Sequence, residues 1–224
     1  MKRDRHAALP LQLAGEEVLL LAQRALYWPR EKMLVVADIH FGKAASFRKL
    51  GVPVPGGTTS ANVAALDALI AACDVRHIMF LGDFLHAKAA HADATLAVML
   101  RWRLRHPALR LTVVRGNHDA HASDPPAALD IAMVDEPHVL APFAFCHHPD
   151  VLVPSYVLAG HVHPLYRLRR GWELLTLPCF LIGDTRMVLP SFGAFTGGHA
   201  VAPQLAERIV VSTGDAVFEV PGPA

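Results

Sequence analysis

The sequence predicts an α/β fold in which a parallel sheet carrying helices is followed by a second, mostly antiparallel sheet. Three observations predict it. Short apolar runs bounded by turn formers recur along the chain, helical periodicity fills the first two gaps between them, and the last third changes to hairpin patterning. The runs are Leu34 to Ala37, Ile78 to Leu81, Leu111 to Val114, Phe143 to Cys146 and Tyr156 to Ala159, and their brevity and branched residues read as buried strands. In the first gap, Val63, Leu66, Ile70 and Cys73 fall at helical spacing after Thr58-Thr59-Ser60, a segment able to cap a helix start. In the second, Leu96, Met99, Leu100 and Leu104 repeat the spacing, and Pro107 stops it. A β-α-β-α-β order calls for parallel strands, with polar residues at their C-terminal ends as the natural place for a site. Leu165 to Thr176, turning near Arg170 and Gly171, and Ile209 to Val220, turning at Thr213, Gly214 and Asp215, read as hairpins of the second sheet.

Length and composition limit the classes of protein this can be. At 224 residues, with no linker or repeat, the chain is expected to form one domain over residues 1–224. The apolar fraction is 53% and the mean hydropathy +0.31, yet no run approaches the roughly 20 apolar residues that span a bilayer, so no membrane segment is expected. A basic start at Lys2, Arg3 and Arg5 is followed by an apolar stretch broken by Gln12, Gly15, Glu16 and Glu17, which gives no export signal. Cys73, Cys146 and Cys179 make an odd set without CxxC spacing, pointing to a reducing, cytoplasmic setting. A net charge of +1 leaves any nucleic-acid contact to local patches. The chain also holds 14 histidines, so their placement decides the matter.

Half of them sit just past the ends of the apolar runs. Asp38-Ile39-His40 follows the first, Gly82-Asp83-Phe84-Leu85-His86 the second, Gly116-Asn117-His118-Asp119 the third, His147 the fourth and Gly160-His161-Val162-His163 the fifth. In extended chain alternate residues face one way, so Asp38 with His40, and His161 with His163, are each expected to aim two donors at one point. Carboxylate, imidazole and amide oxygen together suit Mn, Fe or Zn rather than calcium or a thiolate-bound zinc. Glycines at 82, 116 and 160 would let backbone turn tightly beside a crowded ion. A lone DxH or HxH means little, since a single histidine beside an apolar run is more often structural. Five such clusters in one order, each after a strand-like run, favour a metal centre.

This series, DxH, GDxxH, GNHD, H and GHxH, resembles the calcineurin-like metallophosphoesterases from Asp38 to His163. The resemblance implies a sandwich of two mixed β-sheets flanked by helices. It implies two divalent metal ions, one held by Asp38, His40, Asp83 and His163, the other by Asp83, Asn117, His147 and His161, with Asp83 bridging. His148 is disfavoured because neighbours in extended chain face opposite ways, unless a bulge exchanges them. Cations about 3.5–4 Å apart can share a hydroxide, orient it for in-line attack and neutralise phosphoryl charge. By the same resemblance His118 contacts the phosphate and protonates the leaving oxygen, a general-acid role.

The second motif narrows the reading. Protein phosphatases of this family resemble GDxxDRG, whereas here His86 stands at the second Asp and no Arg follows, as Gly82-Asp83-Phe84-Leu85-His86-Ala87-Lys88 shows. GDxxH is similar to the nuclease-type branch, which places His86 and His118 together on the scissile phosphate. Asp38 through Arg48, Gly51 to Pro55, and Leu189 to Gly198 further resemble the bacterial ligase-associated DNA damage response phosphoesterases. That implies a Mn-dependent phosphodiesterase or DNA endonuclease in DNA repair, working beside a DNA ligase, a helicase and an exonuclease-like protein. Lys43, Arg48 and Lys49, and Arg167, Arg169 and Arg170, could track phosphates, while Arg101, Arg103 and Arg105 read as solvated helix charges. Pro190 to Gly198 reads either as a Gly-rich turn closing the second sheet or as a substrate loop offering Phe192 or Phe195 for base stacking. The chain leaves little room for a capping or DNA-binding domain, which leaves substrate choice to a homodimer or a partner. Rival readings are a phosphomonoesterase or small-nucleotide hydrolase, and a scaffold that has lost catalysis; the intact His118 and ligand set weigh against the latter.

Overall fold

The computed structural model describes residues 7–54, 56–86, 93–119, 124–170, 173–202 and 207–221. Lys2, Arg3 and Arg5 of the basic start, Pro55, Ala87 and Lys88 of the second motif, and Gly171 lie outside the described residues, as does the Arg170 side chain. Seven strands follow one another in a first sheet: β1 (Ala8–Leu13), β2 (Glu16–Leu21), β3 (Ala25–Trp28), β4 (Met33–Ala37), β5 (His77–Leu81), β6 (Arg110–Val114) and β7 (Ile131–Val134). β1 to β4 form an antiparallel meander, and β4 to β7 are parallel. The sheet is therefore mixed. Gly15, used above to exclude an export signal, and Ala14 both take left-handed φ and turn β1 into β2.

The parallel strands read as continuous apolar runs because both faces are covered. Leu34, Val36, Ile78, Phe80, Leu111 and Val113 pack toward the helices, while Val35, Ala37, Met79, Leu81 and Val114 face the second sheet. Each of these side chains larger than alanine contributes roughly 1.5–3 kcal/mol on burial. Helices α1 (Lys43–Lys49) and α2 (Thr58–Ala72) link β4 to β5, and α3 (Asp93–Arg105) links β5 to β6. α2 buries Val63 and Leu66, but its N-cap is left-handed Gly57 with no side-chain cap, so the Thr58-Thr59-Ser60 expectation fails. In α3 the buried residues are Thr95, Met99, Trp102 and Arg103, and Leu104 is 79% exposed. Arg103 is not a solvated charge: it donates to the Leu109 carbonyl at 3.0 Å and to Asp130 at 2.6 Å.

The second sheet has nine strands: β8 (His138–Leu140), β9 (Phe143–Phe145), β10 (Tyr156–Ala159), β11 (Pro164–Arg170), β12 (Glu173–Ile182), β13 (Arg186–Val188), β14 (His199–Ala200), β15 (Arg208–Ser212) and β16 (Val217–Val220). The β11–β12 and β15–β16 pairs are the predicted hairpins. β10 pairs in parallel with β9 and β13, so this sheet is mixed as well. Trp28, Val35, Met79 and Leu20 of the first sheet share one apolar cluster with Phe143, Phe145, Leu158 and Phe180 of the second. That shared core holds the ends of β4, β5, β6, β9 and β10 together.

Candidate metal centre

Where the strands stop, the backbone leaves the extended region. Asp38, His40, Asp83, His161 and His163 all have φ between 46° and 68°, and they are five of the nine described non-glycine residues with positive φ. Such conformations cost on the order of 1–3 kcal/mol each and persist only where surrounding structure fixes them. The expectation that strand alternation aims the donors is thus corrected, because left-handed kinks just past the strands do it. Cross-links hold the kinks: His40 N–H donates to the Asp83 carbonyl at 2.9 Å, Phe41 N–H to the Phe84 carbonyl at 2.9 Å, and Ser191 Oγ to the Asp38 carbonyl at 2.8 Å.

Two buried carboxylates lie at the centre. Asp38 Oδ2 accepts from His161 N–H at 2.9 Å, leaving Oδ1 facing His163 Nε2 at 3.5 Å and His147 Nδ1 at 3.7 Å. Asp83 Oδ1 accepts from His118 N–H at 3.0 Å and lies 3.6 Å from His147 Nε2, while Oδ2 lies 3.6 Å from His40 Nε2 and 3.9 Å from His118 Nε2. His147 Nε2 meets Asn117 Oδ1 at 2.9 Å and His161 Nδ1 at 3.0 Å. The structure therefore brings Asp38, His40, Asp83, Asn117, His147, His161 and His163 to one place. Asp38, His40 and His163 put donor atoms within 4.8 Å of one another, as do Asp38, Asp83 and His147. A third set joins His147 and His161 to His148, whose Nδ1 is engaged by Glu136 Oε1 at 2.5 Å.

The donor set fits a cation. A carbonyl oxygen can only accept, so the contact of His163 Nδ1 with the Gly197 carbonyl (3.1 Å) places the hydrogen on Nδ1, and Nε2 then carries a lone pair toward Asp38 Oδ1, the tautomer a ligand needs. His147 has an acceptor against each ring nitrogen, the Leu81 carbonyl at Nδ1 (3.2 Å) and Asn117 Oδ1 at Nε2 (2.9 Å), and a cation between Nε2 and Oδ1 reconciles the two. Among the described residues, Asp38 Oδ1 and His40 Nε2 are the buried side-chain polar atoms without a hydrogen-bond partner. A buried carboxylate oxygen left unpaired is costly, and a cation satisfies it. The loops also close tightly on the donors: a Cβ on Gly82, whose φ is 73°, would fall 2.0 Å from His147 Nδ1, and one on Gly160 2.6 Å from Asp38 Oδ2.

His86 and His118 stand at the rim, their rings stacked at 4.9 Å and 25°. His118 Nδ1–H donates to the His86 carbonyl at 3.0 Å, which leaves Nε2 available to a substrate. Burial, then the Lys43 and His118 charges, lowers the His86 pKa to about 4. Burial also lowers the His40 and Lys43 pKa values, though Asp83 and Asp38 oppose the shift at Lys43. Burial alone would lower the His163 pKa, but Asp38 outweighs it and the net shift is upward.

Four residues that hold the site went unassigned in the sequence. Asp119, at the end of GNHD, accepts N–H groups from Gly116, Leu85 and Phe84 at 3.0, 3.0 and 3.3 Å, tying the His118 loop to the His86 loop. Glu136 accepts His147 N–H at 2.7 Å and His148 N–H at 2.9 Å. Asn62 donates to the Ile39 carbonyl at 2.9 Å and accepts Ala194 N–H at 2.8 Å. With Ser191 it turns the Pro190 to Gly198 segment into a clamp on the Asp38 loop, which neither reading of that segment anticipated. Phe192 is 2% exposed in the core and so cannot stack on a base, whereas Phe195 is half-buried beside Phe47. Lys43 is half-buried and Arg48 exposed on α1; Arg167 and Arg169 are exposed on β11, roughly 13 and 20 Å along the strand from His163.

A model of the calcineurin-like phosphoesterase family matches residues 31–136, which include the Asp38, Asp83 and Asn117 loops. The solved structure of the Pseudomonas putida nuclease MPE is 46% identical, with 95% of this chain and 100% of that chain covered and a TM-score of 0.85. This chain belongs to the calcineurin-like phosphoesterase family. Among curated proteins, none matches it. As a calcineurin-like phosphoesterase it is a metal-dependent phosphoric ester hydrolase, and the match to the nuclease structure, at 95% of this chain, reaches well beyond the residues that the family model matches. Among the described residues, no helix of this phosphoesterase is long and apolar enough to cross a membrane.

Proposed function

We propose that the chain is a dinuclear phosphodiesterase that cuts DNA. The observation that carries this reading is the stacked His86–His118 pair at the rim of the Asp83 centre, with His86 standing where protein phosphatases have an Asp and no arginine following it as a clamp. A diester carries less charge than a monoester and needs less of such a clamp. Identity of 46% to a nuclease supports the same reading. One metal would be held by Asp38, His40, Asp83 and His163, and the other by Asp83, Asn117, His147 and His161, with Mn2+ the favoured ion and Fe or Zn accepted by the same donors. Bound there, the pair supplies Lewis acidity to the phosphoryl oxygens and a water of lowered pKa.

The chain's own residues do the rest. As an imidazolium His118 keeps Nδ1–H on the His86 carbonyl and carries a second proton on Nε2, which it delivers to the leaving oxygen as the phosphorus–oxygen bond breaks and a bond forms to the oxygen of a water that releases a proton to solvent. His86, neutral under burial, hydrogen-bonds the phosphate without adding charge. Lys43 and Arg48 draw in flanking phosphates. Resemblance to ligase-associated phosphoesterases carries the wider assignment of a DNA-repair enzyme working beside a ligase, a helicase and an exonuclease-like protein; chain length carries one domain over residues 1–224, the odd set of cysteines a cytoplasmic setting, and the lack of room for a DNA-binding domain a homodimer or partner. Mn2+-loaded protein should hydrolyse bis-p-nitrophenyl phosphate faster than p-nitrophenyl phosphate and should nick DNA. Faster monoester turnover with intact DNA would make it a phosphomonoesterase instead.

A further inference from the structure

We propose that Phe47 and Phe195 form a nucleobase-stacking platform beside the catalytic histidines, so that a substrate strand is held by a base as well as by its phosphates. This rests on the phosphodiesterase reading above. Phe47 lies four residues after Lys43 on α1, so ring and cation share one helix face. Its ring lies 6.0 Å from His86 at an interplanar angle of 26°, and 6.0 Å from Phe195 at 84°. His86 stacks in turn on His118. Four rings thus run outward from the proton donor without a break.

The phenylalanines of this half of the molecule divide sharply. Phe41, Phe80, Phe84 and Phe192 are at most 2% exposed, whereas Phe47 and Phe195 keep part of their surface in solvent at the mouth of the site. Phe195 is not on a loose loop: the Ala194 N–H donates to Asn62 Oδ1 at 2.8 Å, and Thr196 Oγ1 donates to the Gly193 carbonyl at 3.0 Å. Charge is arranged around the rings as a nucleic acid requires. Lys43 lies within electrostatic reach of Asp83 and Asp38 on the inner side, and Arg48 and Lys49 follow Phe47 on the exposed end of the helix. Cations on both sides of an aromatic surface match the phosphate–base–phosphate repeat of a strand and have no counterpart in a bare phosphate ester. Every base has a π-face, so the platform recognises that a base is present and not which base it is.

Equilibrium binding tests this in a His118→Ala background, with Mn2+ present, using a labelled single strand of about 12 nucleotides. One probe is oligothymidylate and the other the same backbone abasic throughout. The base-bearing strand should bind about 5- to 150-fold tighter per stacked base. Adding Phe47→Leu, which keeps an apolar side chain against His86 but no π-face, should collapse that preference, Phe195→Ala should reduce it, and Phe47→Tyr should retain it. A preference that survives Phe47→Leu, or that is missing with Phe47 intact, overturns the platform. If the wild type also leaves bis-p-nitrophenyl phosphate uncut, the phosphodiesterase reading fails; if it cuts that diester without favouring bases, only the platform does.

Discussion

The interior of β4 and the two polar residues just beyond it obey opposite rules. Met33 to Ala37 are fully buried, apolar and extended; Asp38 and His40 are as deeply buried, but charged or polar, left-handed, and each with an atom that no protein group satisfies. The same switch from an extended apolar residue to a left-handed polar one recurs from Leu81 to the buried Asp83 and from Ala159 to the exposed His161. Strand interiors supply stability, and strand ends expend some of it to hold donors in an arrangement that relaxes only around a cation.

The largest effect expected from breaking this division is on chemistry. Asp83→Asn should lower diesterase activity by more than about 10⁴-fold, beyond what loss of one general acid accounts for, because Asp83 lies against donors of both proposed sites. Steady-state kinetics with saturating Mn2+ measures it, and a loss under tenfold would mean that Asp83 does not bridge. Stability should respond in the reverse sense. Phe80→Ala should cost about 3–5 kcal/mol in urea unfolding, whereas Asp38→Asn in chelator-treated protein should cost nothing or stabilise, since it removes a buried charge. Equal losses in both variants would erase the distinction between interior and end.

A buried histidine at the opposite ends of the strands sharpens the comparison. His77 is 4% exposed, takes a hydrogen bond from Arg110 at 2.8 Å and contacts Thr112 Oγ1 at 2.9 Å, and burial with the Arg110 charge lowers its pKa to about 4. The unfolded chain therefore binds a proton that the fold refuses between about pH 6.5 and 4. Its contribution is complete above about pH 6.5 and declines by about 2–3 kcal/mol as pH falls through that window. His77→Gln should flatten that part of the stability curve, and an unchanged slope would contradict the assignment. The smallest effect expected is from Asp119→Asn, which leaves every proposed ligand in place but weakens the tie between the His118 and His86 loops. A rate loss of about 10- to 100-fold with metal content retained is predicted, and loss of metal would show that Asp119 supports the centre itself.

What was legible in the sequence follows from the same contrast. Leu34 to Ala37, Ile78 to Leu81 and Leu111 to Val114 stand out because burial on both faces leaves no polar interruption, and the ligand candidates stand out as the punctuation after them. The N-terminal meander was not legible, since Pro10, Gln12 and the Glu16-Glu17 pair break its pattern at an exposed edge. Asp119, Glu136, Asn62 and Ser191 were missed for a different reason. Their partners are mostly backbone atoms that are distant in sequence, and no spacing rule encodes such a contact. The left-handed turns at Asp38 and His161 were hidden likewise, because neither residue type declares its φ.

Metal content measured after Mn2+ saturation and removal of free ion addresses the centre most directly. Two ions per chain are predicted for the wild type, falling to one or fewer in Asp83→Asn while His118→Ala keeps both. A well-folded wild type that never holds more than one ion would contradict a bridging role for Asp83.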